Sequence, residues 1–212
     1  MTLTLSKREF PYKHWEYINS DSGDALRIVP DRGGLITSWI CNGREILYLD
    51  QARFKNPFKS VRGGIPVLFP ICGDLPDNKF ILNNNEYFLK QHGFARDSSW
   101  QIHVIEDQSG VVMRLTETQS TLNSYPFEFT VEMEIRLKSN SLEILSKIVN
   151  NSKKLMPFSF GLHPYFSIKD LNHVRIDGLT QECINQKKMI KSETNFELKR
   201  LSNGIDLISG PT

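Results

Sequence analysis

Side chains able to do chemistry are concentrated in two short stretches set among glycine, proline and aromatic residues. The first reads Arg62-Gly63-Gly64-Ile65-Pro66-Val67-Leu68-Phe69-Pro70, the second Gln91-His92-Gly93-Phe94-Ala95-Arg96-Asp97-Ser98-Ser99-Trp100. Their two arginines offer fixed forks of N–H donors that suit anionic or hydroxyl-rich ligands. Gly63, Gly64 and Gly93 permit close backbone approach or a positive φ, and Gln91 can donate to and accept from hydroxyls. Solvated, irregular turns use the same residue types, so the histidines carry more weight.

Five histidines occur. His103 lies within Trp100 to Ile105 and is expected on a sheet face. His14 and His173 have polar neighbours and are expected at the surface. His92 and His163 differ, because glycine, proline and aromatic residues enclose each of them. For His163 the segment is Met156-Pro157-Phe158-Ser159-Phe160-Gly161-Leu162-His163-Pro164-Tyr165-Phe166. Such surroundings hold a ring rigidly at the edge of a cleft. A histidine acting as an acid near neutral pH needs that enclosure, since modest shifts keep its proton exchange near the working pH. The chain has no Gly-x-Gly-x-x-Gly, Walker loop or His-Glu-x-x-His, in agreement with a chemistry of proton transfer that needs no metal, nucleotide or other cofactor.

The elements that must position these residues read as strands. Ala25 to Val29 and Leu35 to Cys41 precede Asn42-Gly43, a type I′ turn signal leading into Arg44 to Leu49. Asp50 to Ser60 could hold a helical turn. Lys79 to Leu82 and Glu86 to Lys90 flank Asn83-Asn84-Asn85, so a hairpin joins the two site stretches. Trp100 to Ile105 and Val111 to Thr116 form another pair around Asp107 to Gly110. Phe127, Phe129, Val131, Met133, Ile135 and Leu137 alternate with polar residues up to Lys138, which marks a half-buried strand. Lys138-Ser139-Asn140-Ser141 then turns into Leu142 to Val149, more continuously apolar and expected to lie deeper. No segment of ten or more residues has a helical period. Short, regularly spaced strands argue an antiparallel sandwich or barrel.

A chain of 212 residues with 39% hydrophobic content suits one domain, 1–212, with a real core. Its net charge of +2 comes from Lys and Arg scattered among Asp and Glu, so neither nucleic acid nor membrane is expected as a partner. Cys41, Cys72 and Cys183 lie far apart with no Cys-x-x-Cys pair, which disfavours a disulfide framework or zinc knuckle and fits a reduced compartment. No apolar run in residues 1–19 is long enough for a signal peptide or membrane span. A cytoplasmic location is expected.

Both site stretches, the His163 segment and Tyr125-Pro126-Phe127 ahead of the long strand together resemble the aldose 1-epimerase (galactose mutarotase) family, in particular its hexose-6-phosphate 1-epimerase-like branch. The resemblance implies a large antiparallel β-sandwich and mutarotation of a sugar or sugar phosphate. In that reaction one group takes the proton of the O1 hydroxyl while another protonates the ring oxygen. The ring opens, the aldehyde rotates, and closure on its other face gives the second anomer. By resemblance His163 is the general acid, His92 contacts substrate beside it, and Asp206 accepts hydroxyl hydrogen bonds. Arg62, Gln91 and Arg96 complete the substrate contacts. Trp39, Phe69, Phe94, Tyr165 and Phe166 are candidates for an apolar wall against the sugar.

The family places its general-base glutamate several dozen residues after that aspartate, whereas this chain stops at Thr212. Glu132 and Glu134 lie on the polar face of a regular strand and are expected to be solvated. Three readings stay open: a sandwich lacking its C-terminal strands, a base supplied by another group or subunit, or a sugar-phosphate binder without turnover. A β-sandwich interaction module is the reading if the resemblance is set aside. Missing strands would leave an open sheet edge available for self-association.

Overall fold

The computed structural model describes residues 3–106, 109–138, 140–170, 174, 181–185, 190–193, 196–201 and 204–209. Period-two patterning builds the first sheet, in which β1 (Leu3–Arg8), β2 (His14–Asn19), β3 (Ala25–Val29), β4 (Leu35–Cys41) and β5 (Arg44–Glu45) pair antiparallel in sequence order. Asn42 and Gly43 both have positive φ, 50° and 70°, as the two-residue I′ turn between β4 and β5 requires. β5 is shorter than the expected Arg44 to Leu49, because the chain beyond it continues as isolated bridges from Leu47 to Phe166 and from Leu49 to Gly63. α1 (Gln51–Lys55) then fills the segment expected to hold a helical turn, and Asp50 Oδ1 caps it by accepting from the Arg53 N–H at 3.0 Å.

Next come β6 (Val67–Leu68), β7 (Lys79–Leu82) and β8 (Asn85–Phe88). β7 and β8 are the expected hairpin, turned by Asn83 and Asn84 at φ 49° and 64°, a region asparagine enters more readily than most residues. β9 (Gln101–Val104), β10 (Val111–Thr116), α2 (Gln119–Ser124), β11 (Phe129–Lys138) and β12 (Ser141–Asn150) follow. Their strands form a second antiparallel sheet in the order β12-β11-β10-β9. β11 buries Val131, Met133, Ile135 and Leu137 to within 1% of full burial, as its alternation demands.

The expectation that Leu142 to Val149 lies deeper than β11 is overturned. β12 is an edge strand of this sheet, its residues are half-buried or exposed, and Leu145 is 68% exposed. β11 has a strand on each side, whereas β12 has one, and continuous apolarity does not compensate for the missing neighbour. Glu132 and Glu134 are not freely solvated either, because Arg114 and Arg136 pair with them. His14, expected at the surface, is buried at 4% exposure, with Nδ1 2.7 Å from the Tyr12 carbonyl and its ring edge-on to Tyr12. Alternation explains the error, since Lys13 is exposed while the next residue faces inward. His173 lies outside the described residues.

One core joins the two sheets. Tyr17, Leu26, Ile28 and Ile36 from the first meet Met113, Leu115, Val131, Met133 and Ile135 from the second, with Phe69 and Phe127 among them. Two antiparallel sheets over a shared core make a β-sandwich, the fold class expected. β13 (Gly161–Leu162) pairs with β6, and His163, directly after it, is exposed. The chain divides into two compact units, Met1–Ser167 and Ile168–Thr212. The second contains two antiparallel hairpins, β14 (Glu182–Asn185) with β15 (Ile190–Glu193) and β16 (Phe196–Leu201) with β17 (Gly204–Ser209). Among the described residues no helix is long and apolar enough to cross a membrane.

Candidate functional site

Residues 64–69 act as a rail with one site segment fastened along each side. On one side His163 N donates to Pro66 O at 3.0 Å and Tyr165 N to Gly64 O at 2.9 Å, extending the pairing of β13 with β6. On the other side Phe94 N and Ala95 N both donate to Phe69 O, at 3.0 and 3.1 Å. Gly93 is pressed so closely onto this rail that an added Cβ would sit 2.3 Å from Phe69 O, and its φ is +71°. A side chain there meets backbone, which cannot move aside. Stretches about seventy residues apart in sequence, around His92 and His163, thereby meet with ring centroids 6.3 Å apart.

Between and around them lies a cavity of about 210 Å³ whose wall includes Arg62, Gln91, His92, Arg96 and His163. Five of the six residues expected from the sequence therefore share one cavity. Asp206, the sixth, lies on β17 opposite Lys199, in the second unit, and its side chain is outside the described residues. Of the aromatics expected to form an apolar wall, Tyr165 lines the cavity and stacks on His163 at 5.0 Å and 28°. Phe69 is fully buried, Trp39 and Phe94 pack against the core, and Phe166 is 55% exposed beside Leu47.

The polar groups are held differently. Gly73 N donates to His92 Nδ1 at 2.9 Å, and His92 N donates back to Gly73 O at 2.8 Å. Gln91 Nε2 donates to Asp74 Oδ2 at 3.1 Å, which leaves its carbonyl oxygen as the acceptor for a hydroxyl. Arg96 donates to Gln91 O at 2.9 Å and lies 3.9 Å from the Asp97 carboxylate. Burial, then the Arg96 guanidinium and the His163 ring, hold His92 below the ordinary histidine value, against a smaller opposing pull from Asp74. Arg62 is exposed and has no side-chain hydrogen-bond partner among the described residues. Asp97 is the one carboxylate on the cavity wall among the described residues.

Arg32 is the wall residue that sequence reasoning missed. It donates to the carbonyls of Phe54, Asn56 (2.9 Å) and Lys59 (3.1 Å) and lies over the Phe54 ring at 5.0 Å. The signal was present: Arg32-Gly33-Gly34 repeats the triplet Arg62-Gly63-Gly64, and the arginine of each lines the cavity.

Comparisons with known proteins agree on a lineage. The sequence model of the family described as aldose 1-epimerase matches residues 20–203. A Cenchrus ciliaris protein named "Putative glucose-6-phosphate 1-epimerase" is 31% identical over 177 residues, 77% of this chain and 50% of its own length. A Salmonella typhimurium protein of the same name is 27% identical over 165 residues, 73% of this chain and 49% of its own. The chain thus spans about half the length of these relatives. Among solved structures, a Synechocystis protein superposes at TM-score 0.76 with 36% identity, covering 91% of this chain and 67% of its own. A galactose mutarotase related enzyme from Lactobacillus acidophilus, 23% identical, shares the fold at TM-score 0.69 over 92% of this chain and 65% of its own.

Proposed function

The chain belongs to the aldose 1-epimerase family, and from that premise we propose that its cavity binds a hexose, preferentially as the 6-phosphate, and interconverts the α and β anomers. The observation that carries the proposal is one cavity whose wall holds two imidazoles, with ring centroids 6.3 Å apart, together with Arg62 and Arg96. In the forward step His163 delivers a proton to the ring oxygen as the C1–O5 bond breaks. The O1 proton leaves to an acceptor on the opposite face, and C1 becomes an aldehyde. Rotation about C1–C2 and reversal of both transfers give the other anomer, with no net change in atoms or electrons. General acid catalysis of this kind contributes about 10²–10⁴-fold.

The preference for a phosphorylated sugar rests on the guanidinium groups. Arg62 is exposed at the cavity without a partner among the described residues, and charge-assisted hydrogen bonds to an oxyanion contribute roughly 1.5–3 kcal/mol each. The name of the Cenchrus ciliaris relative carries the same substrate. Asp206 is proposed as an acceptor for sugar hydroxyls.

A second reading, sugar-phosphate binding without turnover, draws on the make-up of the wall. Among the described residues it is rich in donors, and its one carboxylate, Asp97, lies beside Arg96. Anomeric exchange spectroscopy by NMR on glucose 6-phosphate and on glucose, beside a binding isotherm for each, separates the readings. Accelerated exchange with preference for the phosphate supports the epimerase. Binding without exchange supports the binder. Equal affinity for both sugars would argue for a free-sugar mutarotase, and neither binding nor exchange would remove the proposal.

A further inference from the structure

We infer that the backbone N–H of Gly73 locks His92 in the tautomer carrying its proton on Nε2, which makes His92 a one-way hydrogen-bond donor in the cavity. The inference about a sugar oxygen as the recipient rests on the proposed function; the tautomer itself does not. A backbone amide can only donate, so at 2.9 Å from Gly73 N the Nδ1 atom of His92 is the acceptor, and in a neutral imidazole the proton then belongs to Nε2. His92 cannot take a second proton without giving up this bond, because a cationic ring has two N–H groups and Nδ1–H would face the Gly73 N–H.

The surroundings favour the neutral ring. Arg96 and His163 oppose a positive charge on His92, burial opposes it more, and Asp74 is the nearby group that favours it. The loop is itself fastened, since His92 N donates to Gly73 O at 2.8 Å and Gln91 Nε2 to Asp74 Oδ2 at 3.1 Å. Residues 73–74 are therefore a positioning element for the 91–92 turn, and Gly73 acts on the site without touching substrate. His163 contrasts with this arrangement. Its backbone is fixed to Pro66, but its ring has no hydrogen-bond partner among the described residues, and its stacking contact is Tyr165. One ring is held to a single tautomer by a backbone N–H, while the other has no such partner among the described residues. The partner suited to the Nε2 donor is a neutral oxygen lone pair, such as the ring oxygen or a hydroxyl of a sugar.

Long-range ¹H–¹⁵N correlation NMR on the sugar-free protein, with the His92 signals identified by their loss in His92→Asn, reads the tautomer directly. An acceptor-type nitrogen at Nδ1 and an N–H-type nitrogen at Nε2 are expected above pH ~6.5, the ordinary histidine value. A proton on Nδ1, or an even mixture of tautomers, would overturn the inference. A second arm compares two amides, since the glutamine amide reaches toward the Nε2 position and the asparagine amide toward Nδ1. His92→Gln should hold KM within a few-fold, while His92→Asn raises it by roughly 5–10-fold, the loss of one neutral hydrogen bond. The reverse order in two variants that melt normally would also overturn it. Because the NMR arm uses no sugar, failure of the epimerase reading leaves its outcome intact.

Discussion

Two segments of this molecule share one triplet and do different work. Arg32-Gly33-Gly34 and Arg62-Gly63-Gly64 both reach the cavity, and all four glycines have positive φ. Arg32 donates to the carbonyls of Phe54, Asn56 and Lys59, so it fastens the end of α1 and the loop after it. Arg62 is exposed, without such a partner among the described residues. The glycines are required by the backbone in both places, whereas the arginines are distinguished by what lies within reach. An identical triplet therefore supplies positive-φ glycines in both places but not the task, which is set by carbonyls contributed from elsewhere in the chain.

Substitutions can break or sharpen that contrast. Arg32→Ala should lower the unfolding free energy by roughly 1.5–3 kcal/mol, because charge-assisted hydrogen bonds to three carbonyls are lost together. Urea unfolding measures this, and an unchanged midpoint would make the two arginines equivalent. Arg62→Ala should instead leave stability within about 0.5 kcal/mol. Its effect belongs to affinity for glucose 6-phosphate, weaker by about 1.5–3 kcal/mol in a binding isotherm, with little change for glucose.

The glycines should behave alike where the arginines do not. An added Cβ at Gly33 would sit 2.1 Å from Arg96 O, and one at Gly64 would sit 2.3 Å from Ile36 O. Both Gly→Ala variants should lose more than about 1 kcal/mol of stability, read from the same unfolding curves. The smallest effect expected is on acid stability. The lowered value of His92 means that folding favours its neutral form. Its contribution is present above pH ~6.5 and is lost as pH falls through the lowered folded-state value. The urea midpoint should decline over that window, and His92→Asn should flatten the decline.

What the sequence made legible follows from the range of each signal. Alternation from Phe129 to Leu137 and the Asn42-Gly43 turn are local, and both appear as expected. Arg62, Gln91, His92, Arg96 and His163 were found because each sits in a turn whose glycines and prolines are themselves unusual. Arg32 was missed although its triplet is the same, since its carbonyl partners lie 22 to 27 residues away and leave no mark nearby. The bond between Gly73 and His92 joins residues 19 apart, with the β7–β8 hairpin between them. His14 misled for a related reason: sequence neighbours on a strand occupy opposite faces. The depth of β12 could not be read from apolarity, because edge position depends on pairing partners and not on the strand itself.

The most direct measurement is anomeric exchange of glucose 6-phosphate by His163→Asn, with a binding isotherm and a melting curve on the same preparation. A loss of about 10²–10⁴-fold in exchange rate, with binding and melting nearly unchanged, is the expected result for a general acid. An unaltered exchange rate in a variant that is folded and binds the sugar would contradict the role of His163.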